Sequence, residues 1–291
     1  MAGSMNILLS TNDGYVMPLT VLMQSLFENN SEPITIYFLW SDLSEQSKAF
    51  IERFAALHGA EVIFIEVGED EFRGLPTKKY ISRETYFRLL AGELLPADVD
   101  RILWLDADMV VNGDISSFYH SDFDGAAVIA CPHGSAMRPV ILEDCAMIGI
   151  EHPEQYFNAG VMLCNLEVWR NMGIPERIAQ IASVPRQMKF PGQDFTNLVF
   201  NGRVKTADWR EYNCMIHSVM PEDIPELKEV AKIIHYVGSV KPWQFTDIPF
   251  EDIWTGYYMR SPFANRPLRR TSYAKMKAVW EMSQKRGEAH E

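Results

Sequence analysis

The chain has 291 residues, of which 47% are hydrophobic and 23% are charged. This balance predicts a globular protein with a sizeable core and excludes a disordered or fibrous chain. The formal net charge of -12 argues against nucleic acid as the main partner, because proteins bind its phosphates mainly through Lys and Arg.

Cysteine usage and hydropathy bear on the compartment in which the protein works. The four cysteines form no CxxC pair and do not indicate a disulfide framework in a chain of this length. The N-terminus lacks the basic start and apolar stretch of a signal peptide, and no uncharged apolar run approaches about 18 residues. We therefore expect a cytoplasmic protein with reduced thiols.

The first third of the chain alternates short apolar runs with helical patterns. Strands are predicted over residues 6–11, 34–40 and 61–67, and helices over residues 18–29 and 44–57. No linker rich in Gly, Ser or Pro interrupts this pattern. Strands that alternate with helices predict an α/β fold, in which a mostly parallel sheet is flanked by helices.

The middle of the chain continues the alternation and brings in acidic residues. A helix is predicted over residues 82–92, and a buried strand over residues 101–105 leads directly into Asp106-Ala107-Asp108. In open α/β sheets, ligands bind beyond the carboxyl ends of the strands. The loop after Thr11 and the acidic pair are both expected at that edge.

Further elements are predicted towards the C-terminus. Strands are expected over residues 126–130, 160–165, 203–207 and 232–237, and helices over residues 174–183 and 194–201. After residue 251 the composition becomes aromatic and basic, with a helix predicted over residues 271–286. We divide the chain into a main domain, residues 5–254, and a C-terminal helical extension, residues 255–291.

The extension carries a net charge of about +5 over residues 260–291, whereas the rest of the chain is strongly acidic. Tyr273, Met276 and Trp280 follow at helical spacing. Two interpretations stay open. The apolar stripe packs on the main domain, or the helix attaches the protein peripherally to an anionic membrane at its inner face.

The Asp-x-Asp pattern occurs three times, at residues 98/100, 106/108 and 122/124. Only Asp106 and Asp108 follow an uninterrupted apolar strand. Residues two apart in an extended chain point to the same side and lie about 6.6 Å apart, so their carboxylates can converge on one ion. Oxygen ligands of this kind favour Mg²⁺ or Mn²⁺. The alternative for the pair is a structural turn.

A second candidate segment is His235-Tyr236-Val237-Gly238-Ser239-Val240-Lys241-Pro242-Trp243, which follows the apolar residues 233–234. An imidazole beside two carboxylates suits Mn²⁺, with Mg²⁺ as the alternative. Gly238 permits close approach of the backbone to a phosphate, and Lys241 offers a positive charge for it. A structural role for His235 and Lys241 is the competing interpretation.

Six blocks over roughly residues 6–254 resemble glycosyltransferase family 8, which includes bacterial lipopolysaccharide galactosyl- and glucosyltransferases and glycogenin. Beside the His235 to Trp243 segment and the N-terminal strand with its loop, the blocks are Thr85-Tyr86-Phe87-Arg88-Leu89, Leu103-Trp104-Leu105-Asp106-Ala107-Asp108, Phe157-Asn158-Ala159-Gly160-Val161 and Gly192-Gln193-Asp194. The resemblance implies a GT-A (Rossmann-like) fold and a retaining enzyme. That enzyme transfers glucose or galactose from a UDP-sugar, with Mn²⁺, to a saccharide or glycolipid acceptor.

The resemblance also implies residue roles. Asp106, Asp108 and His235 hold the metal, and Asp106 also faces the donor. By the same similarity, the residues placed around the donor are Ser10, Asn12 and Tyr15 at uridine, Arg88 and Asn158 at the sugar, and Gly238 and Lys241 at the diphosphate. Gln193 and Asp194 are implied at the sugar face opposite the leaving group, as the candidate catalytic residues.

The chain departs from the family pattern at three positions. It has Gly192 where Asp is common, and Asn12 and Gly14 where Asp and Asn are common. Two other functions stay open as alternatives. One is a haloacid-dehalogenase-like phosphatase in which Asp106 attacks phosphorus, although no later acidic motif for Mg²⁺ follows. The other is a catalytically silent module that binds a nucleotide sugar.

Overall fold

The computed structural model describes residues 4–68, 87–184 and 186–277. In chain order, its strands are β1 Met5–Ser10, β2 Ile34–Trp40, β3 Glu61–Glu66, β4 Arg101–Leu105, β5 Met109–Val111, β6 Val128–Pro132, β7 Phe157–Asn165, β8 Val204–Thr206, β9 Cys214–Met215, β10 Ile233–His235, β11 Phe245–Thr246 and β12 Thr271–Ser272. Its helices are α1 Val16–Asn29, α2 Glu45–Leu57, α3 Ala91–Leu94, α4 Ser116–Tyr119, α5 Arg138–Ile148, α6 Leu166–Met172, α7 Ile174–Ser183, α8 Pro191–Val199, α9 Trp209–Tyr212, α10 Ile224–Val230 and α11 Glu251–Arg260.

A seven-stranded sheet with the order β3-β2-β1-β4-β7-β6-β8 forms the centre of the fold. All neighbouring pairs are parallel except those of β7, which runs antiparallel to β4 and to β6. The predicted α/β class with a mostly parallel sheet is therefore confirmed. The parallel pairs β1/β2 and β2/β3 are connected through α1 and α2, because a parallel connection has to cross from one end of the sheet to the other.

The sheet is buried on both faces, as its continuous apolar strands require. Ile7 and Leu9 of β1 pack into one hydrophobic cluster, whereas Leu8 between them packs into another. Leu105 and Trp104 of β4 are divided between the clusters in the same way. Successive side chains of a strand point to opposite faces, so each apolar run supplies both halves of the core.

A three-stranded sheet, β5-β10-β9, lies beyond the end of β4 and positions the site. Strand β10 pairs antiparallel with β5, so that His235 lies opposite Met109, and parallel with β9, so that His235 also lies opposite Met215. The residue next to Met109 is Asp108. This pairing fixes the imidazole of His235 beside the predicted acidic pair.

The element boundaries differ from the predicted ones by a few residues. Strand β7 begins at Phe157 rather than at residue 160, and β6 spans Val128–Pro132 rather than residues 126–130. Helix α5 was not predicted, because its apolar residues lie on several sides: Ile141 is buried whereas Leu142 and Met147 are exposed. It therefore lacks the one-sided period by which a surface helix is recognised.

The C-terminal prediction needs a correction. Residues 271–272 form the short strand β12, which pairs with β11, and residues 273–277 are helical. The rest of the helix predicted over 271–286 lies outside the described residues. The same holds for residues 82–86 of the helix predicted over 82–92. The proposed division between residues 254 and 255 falls inside α11, whose Trp254 and Tyr257 are buried. Within the described ranges, no helix has the length and apolar character needed to cross a bilayer.

Candidate active site

The acidic pair and the histidine converge beyond the carboxyl end of β4. The backbone N–H of Asp106 donates to the carbonyl of Gly160 at 2.9 Å, and that of Tyr236 donates to the carbonyl of Asp108 at 3.0 Å. Potential ligand atoms of Asp106, Asp108 and His235 all lie within 4.8 Å of one another. Two carboxylates and an imidazole at this spacing fit a divalent cation such as Mn²⁺.

Each carboxylate of the pair also contacts a basic side chain. Asp108 lies 3.2 Å from Nε2 of His235 and 2.5 Å from Nζ of Lys241. Burial raises the pKa of the Asp108 carboxyl, but the charges and hydrogen bonds of His235 and Lys241 outweigh it and hold that pKa well below its usual range. Asp106 accepts from Nε1 of Trp104 at 2.8 Å and from Arg88 at 3.2 Å. Both carboxylates are thus held at the strand end by hydrogen bonds from basic side chains.

A chain of side-chain amides lies behind the pair. Oδ1 of Asn158 accepts from the backbone N–H of Gly160 and from Nδ2 of Asn213, both at 3.0 Å. Oδ1 of Asn213 lies 3.0 Å from Nδ1 of His235. On the other side, Nδ2 of Asn158 donates to Oε1 of Gln193 at 3.0 Å. The predicted sugar-side residues are therefore connected to the metal-side histidine through hydrogen bonds.

Gln193 and Asp194 are neighbours in sequence but occupy different environments. Gln193 lines a cavity and donates from Nε2 to the hydroxyl of Tyr156 at 2.8 Å. Asp194 has no exposed surface. Its carboxylate accepts from Tyr156 and, at 2.7 Å, from the backbone N–H of Phe190. Only Gln193 of the two faces the cavity.

Asp194 also forms part of a buried acidic pair. Burial and the nearby carboxyl of Asp144 raise the pKa of Asp194 to about 7, although its bonds to Tyr156 and Phe190 act in the opposite direction. Oδ2 of Asp144 is buried and accepts no hydrogen bond from the described residues. The raised pKa keeps a proton on part of the Asp194 population near neutral pH, which reduces the repulsion between the two carboxyl groups.

The cavity beside Gln193 has a volume of about 440 Å³ and is mostly apolar. Its wall includes Asn158, Gly238 and two histidines, His133 and His217. Burial lowers the pKa of His133 to about 4 and also lowers the pKa of His217, so both rings are neutral at neutral pH. Neutral imidazoles can donate to and accept from hydroxyl groups. The sequence did not single out these two histidines.

The loops predicted to bind the nucleotide meet at one place. Ser10 ends β1, and Asn12 caps the following turn by accepting from the backbone N–H of Gly14 at 3.0 Å. The ring of Tyr15 is 39% exposed and lies edge-on to Trp243, with ring centroids 5.8 Å apart. The N-terminal loop and the segment after His235 thus form neighbouring walls. Arg88 lies beside Asp106, 3.2 Å from its carboxylate, and donates to the carbonyl of Ala159 at 2.6 Å.

Sequence reasoning missed the residues that hold this arrangement together. A Cβ atom on Gly160 would lie 2.5 Å from Cε1 of His235, so only glycine allows the imidazole to approach. Gly160 belongs to a recognised block, but its contact is with a residue far along the chain. Asn213 carries no pattern that separates it from an ordinary loop asparagine. Their roles depend on tertiary neighbours.

The model of the family described as glycosyl transferase family 8 matches residues 6–247. The chain belongs to glycosyltransferase family 8. It is a hexosyltransferase, and the phosphatase alternative for Asp106 is thereby excluded. Enzymes of the GT-A fold typically bind a divalent metal, and the Asp106, Asp108 and His235 group is a candidate site for one.

Similar proteins agree with this family 8 assignment. The lipopolysaccharide 1,2-glucosyltransferase of Escherichia coli K12 is 28% identical over 253 residues, which cover 82% of this chain and 72% of the relative. The lipopolysaccharide 1,3-galactosyltransferase of Salmonella typhimurium LT2 is 23% identical over 83% of this chain and 74% of its own length. The crystal structure of the galactosyltransferase LgtC with donor and acceptor sugar analogues superposes with a TM-score of 0.72 at 27% identity. That match covers 89% of this chain and 96% of LgtC, and it confirms the predicted GT-A fold.

Proposed function

We propose that this protein transfers glucose or galactose from a UDP-sugar to a saccharide or glycolipid acceptor, with retention of anomeric configuration and with Mn²⁺ as the metal. The observation that carries the proposal is the convergence of Asp106, Asp108 and His235 within 4.8 Å at the carboxyl edge of the sheet. Relatives named as lipopolysaccharide glucosyl- and galactosyltransferases support a role in lipopolysaccharide synthesis.

The geometry suits a nucleotide diphosphate sugar. Asp106, Asp108 and His235 would hold a divalent ion, which would supply positive charge against the negative charge that develops on the departing diphosphate. Lys241, beside Asp108, supplies a further positive charge on the same side. Gly238 has a φ of +84°, and a Cβ at this position would have no atom within 4 Å. The open space leaves room for a phosphate against the backbone of Gly238. Tyr15 and Trp243 offer ring surfaces for the base.

At the sugar carbon we propose a front-face reaction. The bond from C1 to the diphosphate oxygen breaks, and the acceptor hydroxyl forms its bond to C1 on the same face while its proton passes to the departing phosphate oxygen. Gln193 is an amide and a poor nucleophile, and Asp194 is buried behind Tyr156. Such a reaction asks of Gln193 and Asn158 only that they position the sugar. A nucleophilic role for Asp194 is the alternative hypothesis.

Calorimetric titration of UDP in the presence of Mn²⁺ tests the metal assignment. Asp106→Asn and Asp108→Asn should each abolish metal-dependent binding of UDP while the thermal unfolding transition stays cooperative. Asp98→Asn is the matched control, because Asp98 belongs to another Asp-x-Asp pair that lies outside the site. If all three variants lost binding equally, the assignment of the pair would be wrong.

Turnover separates an enzyme from a silent binding module. Slow Mn²⁺-dependent hydrolysis of UDP-glucose or UDP-galactose needs no acceptor, so it can be measured before the acceptor is identified. NMR of the anomeric proton in the product tests retention. An inverted product, or a covalent sugar on Asp194 detected by mass spectrometry, would overturn the front-face proposal.

The C-terminal extension keeps both of its interpretations. Tyr273 packs against Phe245 with ring centroids 5.8 Å apart, which favours packing on the domain, whereas Met276 is 41% exposed and Trp280 lies outside the described residues. Cosedimentation with anionic liposomes at low and high salt distinguishes the two. Absence of binding at low salt would leave packing on the domain as the role of this segment.

A further inference from the structure

Asn213 occupies a fixed position behind the metal-side histidine. It lies between α9 and β9 and has no exposed surface. Its Oδ1 is 3.0 Å from Nδ1 of His235, and its Nδ2 is 3.0 Å from Oδ1 of Asn158. Asn213 therefore contacts the histidine on the ring nitrogen that faces away from Asp108.

One backbone group sets the direction of the hydrogen bonds that connect Asn158, Asn213 and His235. The N–H of Gly160 can only donate, so the atom of Asn158 that faces it at 3.0 Å has to be the oxygen. That oxygen in turn requires the Nδ2 group of Asn213 to face it. The oxygen of Asn213 is then left to face His235.

The consequence for His235 is a defined tautomer. Nδ1 faces an acceptor oxygen and has to carry the hydrogen, so in the neutral ring the lone pair is on Nε2. Nε2 is the nitrogen that lies 3.2 Å from Oδ1 of Asp108. The ring is further confined by Gly160, where any Cβ would collide with it, and by its 2% exposure.

We propose that Asn213 is the positioning residue of the metal site: it holds His235 with the Nε2 lone pair directed at the ion and so gives the site its preference for Mn²⁺ over Mg²⁺. This inference rests on the proposed function. Mg²⁺ selects oxygen ligands and gains little from imidazole, whereas Mn²⁺ accepts nitrogen and oxygen ligands together. Loss of a correctly presented imidazole therefore weakens Mn²⁺ binding more than Mg²⁺ binding.

The test measures both metals on the full chain. Free Mn²⁺ is followed by electron paramagnetic resonance at a fixed concentration of UDP, and Mg²⁺ is measured by competition. In Asn213→Leu, which keeps the approximate size but removes both polar atoms, Mn²⁺ affinity should fall about 10- to 100-fold, the usual effect of removing a partner behind a metal ligand. Mg²⁺ affinity should stay within about threefold of the wild type, because its oxygen ligands are unchanged.

Asn213→Asp provides the conservative rescue. The buried acid has the shape of the amide: one oxygen keeps an acceptor for the Nδ1 hydrogen, and the other, in its protonated form, donates to Oδ1 of Asn158. Mn²⁺ affinity should therefore return to within about threefold of the wild type. Asn165→Leu is the matched control for stability alone. Asn165 caps α6 by accepting from Val168 at 3.2 Å, at the opposite end of β7 from the site, and its loss should leave both metal affinities unchanged.

Two results would overturn the inference. Equal weakening of Mn²⁺ and Mg²⁺ in Asn213→Leu would show that the residue supports the fold only. A loss in Asn213→Asp as large as that in Asn213→Leu would show that the acceptor is not the cause. Either result leaves the proposed function standing, whereas failure of the wild type to bind Mn²⁺ with UDP would refute the metal assignment itself.

Discussion

Gly160→Ala should damage the site through a single methyl group. The added Cβ would lie 2.5 Å from Cε1 of His235 and 2.8 Å from Cε of Met109, whereas carbon atoms pack at about 3.5–4.0 Å. Something must therefore shift by about 1 Å. The end of the Met109 side chain can rotate away. The imidazole cannot, because β10 is paired on both sides and Asn213 holds the ring.

The expected cost has two parts. Overpacking should lower the free energy of unfolding by about 1–3 kcal/mol, measured by urea denaturation. Displacement of His235 should weaken Mn²⁺-dependent UDP binding about 10- to 100-fold, measured by calorimetry. The φ angle of Gly160 is not positive, so alanine introduces no backbone strain of its own.

The matched control for Gly160→Ala is Gly256→Ala in α11. A Cβ there would meet only the end of the flexible Arg260 side chain, at 3.5 Å. Alanine in a helix should raise stability by up to about 1 kcal/mol and leave UDP binding unchanged. If Gly160→Ala bound UDP and Mn²⁺ as the wild type does, the argument that glycine clears space for the imidazole would be refuted.

Three further substitutions test the buried acids, the sugar side and the scaffold. The folded pKa of Asp194 is about 7 and the unfolded value is near 3.8, so the native state binds an extra proton. The contribution of this proton to the free energy of unfolding is lost as pH rises from about 4 to about 7. Asp144→Asn removes the neighbouring carboxyl and supplies a donor, so its stability relative to the wild type should rise by up to about 2 kcal/mol between pH 5 and pH 7 in urea denaturation, and a constant difference would show that Asp144 does not raise the pKa of Asp194. Gln193→Ala should slow turnover roughly ten- to a hundredfold with little change in UDP affinity, and an unchanged rate would remove Gln193 from the site. The guanidinium of Arg170 donates to backbone carbonyls of residues 92–99, so Arg170→Lys should lower the free energy of unfolding by about 1–3 kcal/mol without affecting UDP binding. Loss of UDP binding would show that these backbone contacts are coupled to the site.

Local patterns in the sequence determined the class of fold and the edge at which the site lies. The apolar run of β4 is a local feature, and its abrupt end at Asp106 is enough to place that residue at the rim of a parallel sheet. Asp122 and Asp124 show the same spacing without such a strand, and Asp124 pairs with Lys205 on the exposed surface. The strand before the pair, rather than the pair itself, carried the information.

Helix α5 and strand β5 show where local pattern is insufficient. The exposed apolar residues of α5 hide its period, and β5 is only three residues long, so its identity depends on its pairing with β10. The antiparallel direction of β7 is likewise a property of the chain's path. Its residues read as an ordinary buried strand, because burial on both faces gives the same apolar run in either direction.

What the sequence determined by itself is therefore the set of candidate ligand types, two carboxylates and an imidazole, and the family to which their blocks belong. What only the tertiary structure decided is how those ligands are presented. Lys241 reaches Asp108 across 133 positions of the chain, and Asn213 and Gly160 act on His235 through contacts that no spacing records. The chemistry of the candidate ligands is a property of their residue types. The tautomer of His235, the space around its ring and its orientation depend on distances between strands that meet only in the folded chain.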